Sequence, residues 1–150
     1  ALKIRRELAE KSPDAYLPDL AISCNNLAYL LSDTGSSKEA EELYREALKI
    51  RRELAEKSPD AYLPNLAIGC NNLANLLSDI GSFKEAEELY QEALKIRWNL
   101  AEENPKVYLP KLQLVCDNLT ALLEKTCRRE EADSLRREVA EFYQKQLAQQ

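Results

Sequence analysis

Apolar residues early in the chain recur at intervals of three and four, the spacing that predicts one buried face of a helix. The first such run consists of Leu20, Cys24, Leu27, Ala28 and Leu31. It follows Pro18, which we place in the first helical turn, where its missing N–H costs no hydrogen bond. The run ends at the turn-forming residues 33–36, which include Gly35. The pattern therefore predicts a helix that begins near Pro18 and ends near Asp33.

A second and longer apolar run follows this turn. We expect its helix to begin near Ser37 or Lys38 and to continue to Lys57, before Ser58 and Pro59. Its predicted buried residues are Ala40, Leu43, Tyr44, Ala47 and Leu48, and the helix continues through Ile50, Leu54 and Ala55. Two helices joined by so short a turn form an antiparallel helical hairpin.

The hairpin is one unit of an internal repeat. The segment that begins at Ala1 returns at Ala47, an interval of 46 residues, with only six changes in the second copy. A third, looser copy runs from Ala93 to Glu138. Hairpins of this kind bury their apolar faces by stacking, so we predict one all-α domain, a right-handed superhelix. Its predicted parts are a leading helix at 1–11 and hairpins at about 18–57, 64–103 and 110–150, as a fragment of a longer array.

The repeated positions resemble the tetratricopeptide repeat, whose pattern is W-x2-L-G-x2-Y, then A-x3-F, then P. The matching residues in the first two copies are Cys24, Leu27, Ala28, Leu31, Ala40, Tyr44 and Ala47, then Cys70, Leu73, Ala74, Leu77, Ala86 and Tyr90. The third copy offers Cys116, Leu119, Thr120, Leu122 or Leu123, Ala132 and Arg136. The closing proline is absent and the unit is long, a form that resembles the repeats of kinesin light chains. The Pro-Asp and Asn-Asn-Leu-Ala phrases of this chain are similar to phrases in those proteins as well. The chain is similar as well to the arrays of bacterial and archaeal signalling ATPases.

The resemblance implies that the first helix of each hairpin lines a concave groove that binds another polypeptide. Stacking aligns Asn26, Asn72 and Asn118 in one column and Asn25, Asn71 and Asp117 in the next. An amide side chain donates and accepts, so these columns suit a bound peptide backbone, as the kinesin light chain resemblance also implies. Alternatively, each asparagine bonds a neighbouring helix and fixes its packing. The residues alone leave both interpretations open.

Two further columns affect what the groove would bind. Tyr29 is the strongest single contact candidate, because aromatic residues are common at binding hot spots, and its counterparts Asn75 and Ala121 differ from it. Asp33, Asp79 and Asp117 make the groove acidic, which favours basic or neutral partner segments. The predicted groove site is Asn25, Asn26, Tyr29, Asp33, Asn71, Asn72, Asn75, Asp79, Asp117 and Asn118.

Composition and charge exclude several classes of partner. The net charge of −5 argues against nucleic acid, and no apolar run approaches the length of a membrane span. Some tetratricopeptide domains clamp chaperone tails with lysines and an arginine. At those positions this chain has Asn25 and Tyr29 in the first hairpin and Leu114 and Asn118 in the third. Only Asn72 matches the clamp pattern and no cation is present, so we expect no carboxylate clamp. With no secretory signal visible, we expect reduced thiols and a cytoplasmic protein.

Catalytic and metal-binding chemistry has little support in the sequence. The chain has no histidine, and Cys24, Cys70 and Cys116 recur at a packing position roughly 10 Å apart, too far to share a metal. Cys127 replaces the turn glycine and is flanked by Arg128 and Arg129, a setting that favours a reactive thiol. A turn that has drifted in a terminal repeat explains it more simply. We therefore predict no enzyme activity, no cofactor and no metal.

The two ends of the array differ. The last helix is polar and has Arg136 where the earlier copies have tyrosine, as expected of a terminal cap. At the other end we expect Leu2, Ile4 and Leu8 to form an uncovered apolar strip, with self-association as its consequence. The predicted function is a scaffold that holds a peptide or protein in the groove. The alternative is a spacer or self-assembling array, or the regulatory arm of a signalling protein, with its ends or convex face as the interface.

Overall fold

The computed structural model describes residues 2–149 and is entirely helical over that range. Its helices are α1 (Leu2–Lys11), α2 (Pro13–Asp33), α3 (Ser37–Lys57), α4 (Pro59–Asp79), α5 (Phe83–Glu103), α6 (Pro105–Lys125) and α7 (Arg129–Ala148). Each helix packs against the next along the chain, which confirms the predicted all-α array of stacked hairpins. Ala1 and Gln150, the end residues of the predicted domain, lie outside the described range. No helix of residues 2–149 combines the length and apolarity needed to cross a bilayer.

The first helix of each hairpin begins earlier than the sequence pattern predicted. Pro13 occupies the first turn of α2, and a single residue separates it from the end of α1. Pro18 lies inside the helix. The placement of Pro18 in the first turn was therefore wrong, and so were the corresponding starts near 64 and 110. Both prolines suit a helix start, but only Pro13 begins one, and Pro18 removes a hydrogen bond to the carbonyl of exposed Asp14.

The three hairpin turns share one geometry. At the end of α2, the N–H of Ser36 donates to the carbonyl of Leu31 at 2.7 Å and that of Gly35 to Ser32 at 3.2 Å. This is the Schellman arrangement, which requires a left-handed residue after the helix. Gly35 and Gly81 supply it with φ of 90° and 89°, and Cys127 supplies it with φ of 63°. The prediction that Cys127 replaces the turn glycine is thus confirmed.

Replacing Cys127 with glycine is expected to stabilise the protein by about 0.5–1 kcal/mol. A side chain in the left-handed region costs about 1–2 kcal/mol, and the greater freedom of glycine in the unfolded chain offsets part of that gain. Urea unfolding of the C127G variant measures the difference. As the matched control, Gly81→Ala should lower the stability of the protein, because it puts a side chain in the left-handed region. A Cβ at this position meets no atom within 4 Å, so the loss would not come from a clash.

Repeat-related residues in the core are not equally buried. Leu73 and Leu119 have 0% and 3% of their surface exposed, whereas Leu27 has 38% exposed. The prediction that Leu27 is buried was therefore wrong. The reason is that α1 has 10 residues against 21 in α3 and α5, so no helix among residues 2–149 covers the second half of α2 from that side.

The apolar strip predicted at the N-terminal end also differs from the structure. Ile4 is 60% exposed, as expected, but Leu2 and Leu8 are only half-exposed, and Leu2 packs against the core of α2 and α3. The exposed apolar surface lies instead on α2, where Leu30 is 60% exposed. Arg136 of the polar α7 pairs with Glu124 of α6 at 2.5 Å.

Ion pairs connect the second helices of successive hairpins. Arg6 of α1 pairs with Glu46 of α3 at 2.6 Å, and the repeat-related Arg52 pairs with Glu92 at 2.9 Å. Exposed pairs of this kind contribute little to stability, so their main effect is to fix the register between helices. In the third copy Trp98 replaces the arginine and stacks against a ring of α7, that of Phe142, with centroids 4.4 Å apart.

A second arginine column, Arg5, Arg51 and Arg97, is exposed at its first position and buried at the other two. Arg97 donates to the carbonyl of Lys111 at 3.0 Å, and Arg5 donates to that of Asp19 at 3.3 Å. Between them, Arg51 is 7% exposed, and its Nη1 has no hydrogen-bond partner among the described residues. Gly69 explains the difference, because the guanidinium occupies the space that a side chain would fill at this position, 3.3 Å from an added Cβ.

Candidate functional site

The first helices α2, α4 and α6 form a continuous surface, which we call the groove face. α4 and α6 contact each other directly. The bonds that join the first helices use short asparagine side chains, whereas the second helices are joined by long Arg–Glu pairs. The first helices are therefore bridged by shorter side chains than the second helices are.

The asparagine columns are joined diagonally by hydrogen bonds. Nδ2 of Asn72 donates to Oδ1 of Asn25 at 3.0 Å, and Nδ2 of Asn118 donates to Oδ1 of Asn71, also at 3.0 Å. Asn71 is 7% exposed, so its amide is largely removed from water. These four residues thus hold successive first helices together, which is the packing interpretation of the columns. Asn26 begins its column and is exposed.

The column of Tyr29, Asn75 and Ala121 changes from copy to copy. Tyr29 has 66% of its surface exposed and projects from α2. Asn75 instead accepts a short hydrogen bond at Oδ1 from the hydroxyl of Tyr90, within the same hairpin. Ala121 is exposed and has no side chain beyond Cβ, so at this position α6 projects less far from the groove face than α2 does.

An open cleft of about 430 Å³ lies between α4 and α6, next to Ala121. Three of the predicted site residues line it, Asn75, Asp79 and Asn118, and they come from two hairpins. The other lining residues, Ser78, Tyr90, Ala121, Leu122 and Lys125, were not among the predicted site residues. A small residue in a column that otherwise holds Tyr and Asn is the signal in the sequence that could have located the cleft.

Three aspartates and one lysine charge the part of the groove face around the asparagine columns and the cleft. Asp33, Asp79 and Asp117 are all exposed, and Asp117 accepts a hydrogen bond from Gln113 at 2.9 Å. Lys125, which occupies the position of Asp33 and Asp79 in the third copy, extends over the Phe83 ring at 5.3 Å. The cleft therefore has a carboxylate on α4 and an ammonium on α6.

Tyr90 forms part of the cleft and is 3% exposed. Burial, together with the nearby carboxylate of Asp79, raises the pKa of its hydroxyl to about 12. The hydroxyl is therefore protonated at neutral pH and donates to Asn75, which fixes the orientation of that amide.

The cysteines do not contribute to the groove face. Cys24, Cys70 and Cys116 are fully buried, and burial raises the pKa of the Cys24 and Cys116 thiols to about 12 and about 11. Burial also raises the pKa of the Cys70 thiol, which donates to Glu92 at 2.7 Å. Exposed Cys127 neighbours Arg128, but the guanidinium of Arg128 is bound by Glu87 at 2.6 Å and by Glu131 at 2.5 Å.

Comparisons with known proteins agree with this fold. The family model of the tetratricopeptide repeat matches residues 20–60 and 67–98. Among the solved structures that match is the crystal structure of BtubC (BKLC) from P. vanneervenii, with a TM-score of 0.66 and 29% sequence identity. The match covers 96% of this chain and 53% of that one, so the chain spans about half the length of that relative. A search of curated proteins finds no match.

Proposed function

Since this chain is a tetratricopeptide repeat protein, a class that generally mediates protein interactions, we propose that it holds a polypeptide segment along the groove face. The observation that carries the proposal is the cleft between α4 and α6, where Asn75, Asp79 and Asn118 meet. It is open to solvent and is lined by both polar and apolar side chains, as peptide sites commonly are.

The apolar residues of the groove face indicate the spacing of the partner's contacts. Ile22 and Leu114 occupy the same repeat position on α2 and α6 and are 48% and 52% exposed, with the half-buried Ile68 between them. Packed helices lie about 8–10 Å apart, and an extended chain rises about 3.3 Å per residue. An extended partner would therefore place an apolar side chain against this row at roughly every third residue.

Charge narrows the partner further. With Asp33, Asp79 and Asp117 exposed along the face, a neutral or basic segment binds with less repulsion than an acidic one. Lys125 adds a place at the cleft for one acidic group or a peptide carbonyl. The asparagine pairs contribute rigidity rather than their full bonding capacity, because one donor or acceptor of each is already engaged.

Peptides selected from a random displayed library on the unmodified protein test this proposal. Ala121→Tyr introduces at the cleft the aromatic side chain that Tyr29 has at this position in the first copy. The added ring should weaken binding of the selected peptides at least tenfold, about 1.4 kcal/mol. Lys95→Ala, on the exposed side of α5, is the matched control and should leave the affinity unchanged. Circular dichroism checks that both variants keep the helical fold.

Equal affinity of the selected peptides for A121Y and for the unmodified protein would contradict groove binding. It would favour the alternative function, an assembly or spacer array that uses its ends or the surface of the second helices.

A further inference from the structure

Residues that differ from their repeat counterparts meet at the cleft between α4 and α6. Two of the six positions that distinguish the first two copies contribute to it, namely Asn75, which lines it, and Phe83, whose ring lies beneath Lys125. In the third copy, Ala121 and Lys125 line the cleft at positions where the first two copies have a larger side chain and a carboxylate, respectively. None of these four side chains has an identical counterpart at the junction between α2 and α4, so the chemistry of the cleft is specific to one place in the array.

Internal hydrogen bonds fix the orientation of two amides that line the cleft. Oδ1 of Asn75 accepts from the hydroxyl of Tyr90, so Nδ2 of Asn75 is left to donate. Nδ2 of Asn118 donates to Oδ1 of Asn71 at 3.0 Å, so Oδ1 of Asn118 is left to accept. In the part of the chain that the structure describes, the one buried side-chain nitrogen or oxygen without a partner is Nη1 of Arg51. The free donor and the free acceptor are therefore not buried, and both are open to the cleft that their residues line.

Two charged side chains lie one helical turn further along the same two helices. Asp79 follows Asn75 by four residues on α4, and Lys125 follows Ala121 by four residues on α6. Nζ of Lys125 lies 5.3 Å from the centre of the Phe83 ring, an attraction that keeps the ammonium beside the cleft. Along the cleft, α4 therefore presents a donor followed by an acceptor, and α6 presents an acceptor followed by a donor.

We propose that the cleft is a specificity pocket for the side-chain carboxamide of a glutamine or asparagine in the bound segment, an inference that rests on the proposed binding at the groove face. The carboxamide oxygen accepts from Nδ2 of Asn75, and the carboxamide nitrogen donates to Oδ1 of Asn118. A carboxylate in the same place has no hydrogen for Asn118 and lies near Asp79. An ammonium or guanidinium has no acceptor for Asn75 and lies near Lys125.

The depth of the cleft favours a side chain of the partner over its backbone, although a peptide group offers the same donor and acceptor. Tyr90 and Leu122 line the cleft although each is only 3% exposed, so they form its bottom. The small Ala121 leaves the space above them open. A main chain entering that space would bring further peptide groups that all need partners, whereas a side chain brings only its own carboxamide.

Peptides selected from a random displayed library on the unmodified protein test this inference by the residue that they prefer at each position. We expect Gln or Asn at one fixed position. Replacing it with Glu or Met in a selected peptide should weaken binding roughly tenfold or more, because an amide at the cleft loses its partner. These peptide substitutions need no variant of the protein.

Asn75→Asp changes the chemistry of the cleft at one atom. Its carboxylate still accepts from the hydroxyl of Tyr90, but the donor at the cleft is replaced by an acceptor. On N75D we expect the preferred residue to change from Gln or Asn to Lys or Arg, with a shift of roughly tenfold or more in the ratio of the two affinities. Asn99→Asp, on the exposed side of α5, is the matched control, because it adds the same charge away from the cleft and should leave the preference unchanged.

The outcomes separate this inference from the proposed function. Selected peptides that A121Y weakens but that have no Gln or Asn at a fixed position would overturn the inference and leave binding at the groove face intact. If N75D weakened those peptides as well, the free amide groups would bind the peptide backbone instead. Selected peptides that A121Y does not weaken would contradict binding at the groove face itself, and the pocket with it.

Discussion

Replacing Leu73 with alanine is expected to lower the free energy of unfolding by about 3–4 kcal/mol. Its side chain is fully buried in the largest core cluster, between the first hairpin and its successor. Truncation removes the transfer free energy of the lost methyl groups and leaves a cavity, because helices joined on both sides cannot collapse into the space. Urea unfolding followed by circular dichroism measures the loss.

Leu27→Ala is the matched control, because residues 27 and 73 occupy the same position in nearly identical repeats. Leu27 is 38% exposed, so its truncation opens no closed cavity, and we expect a loss below about 1 kcal/mol. Equal losses in the two variants would mean that Leu27 is covered in solution, for instance by self-association, and would contradict its exposure in the structure. Because repeat arrays unfold in parts, hydrogen exchange of each hairpin should accompany the global measurement.

The architecture could be predicted because it depends on patterns that repeat. The three-and-four spacing identifies two helices per unit, and the 46-residue period fixes how units stack. The helix start was wrong because Pro13 and Pro18 both suit a first turn, and local preference does not choose between them. The contrast between Leu27 and Leu73 was missed for another reason, since a repeat pattern treats every copy as if it had neighbours on both sides.

The candidate site was predicted less completely, because the columns were aligned by sequence position alone. Neighbouring first helices are offset in the structure, so Asn72 bonds Asn25 and not Asn26. That diagonal follows from the side from which each residue projects, which the aligned columns do not show. The cleft likewise depends on Ala121 and Lys125, which were not among the predicted site residues.

Replacing Asn118 with alanine is expected to cost about 2 kcal/mol of the free energy of unfolding. The change removes the donor that satisfies Oδ1 of Asn71, whose side chain is 7% exposed, and a buried acceptor without its partner costs about 1–3 kcal/mol. Thermal and urea unfolding give the magnitude. Exchange of amides in α4 and α6 should show that the loss is concentrated at that junction.

Asn26→Ala provides the comparison that separates packing from binding, because residues 26 and 118 share one repeat position. Asn26 is exposed, so its removal should change stability by less than about 0.5 kcal/mol. If both variants were neutral in stability and N118A alone weakened peptide binding, Asn118 would act on the ligand and the packing interpretation would fail. A double-mutant cycle with Asn71→Ala measures the pair directly, and we expect a coupling of about 1 kcal/mol, since alanine at both positions leaves no unpaired acceptor.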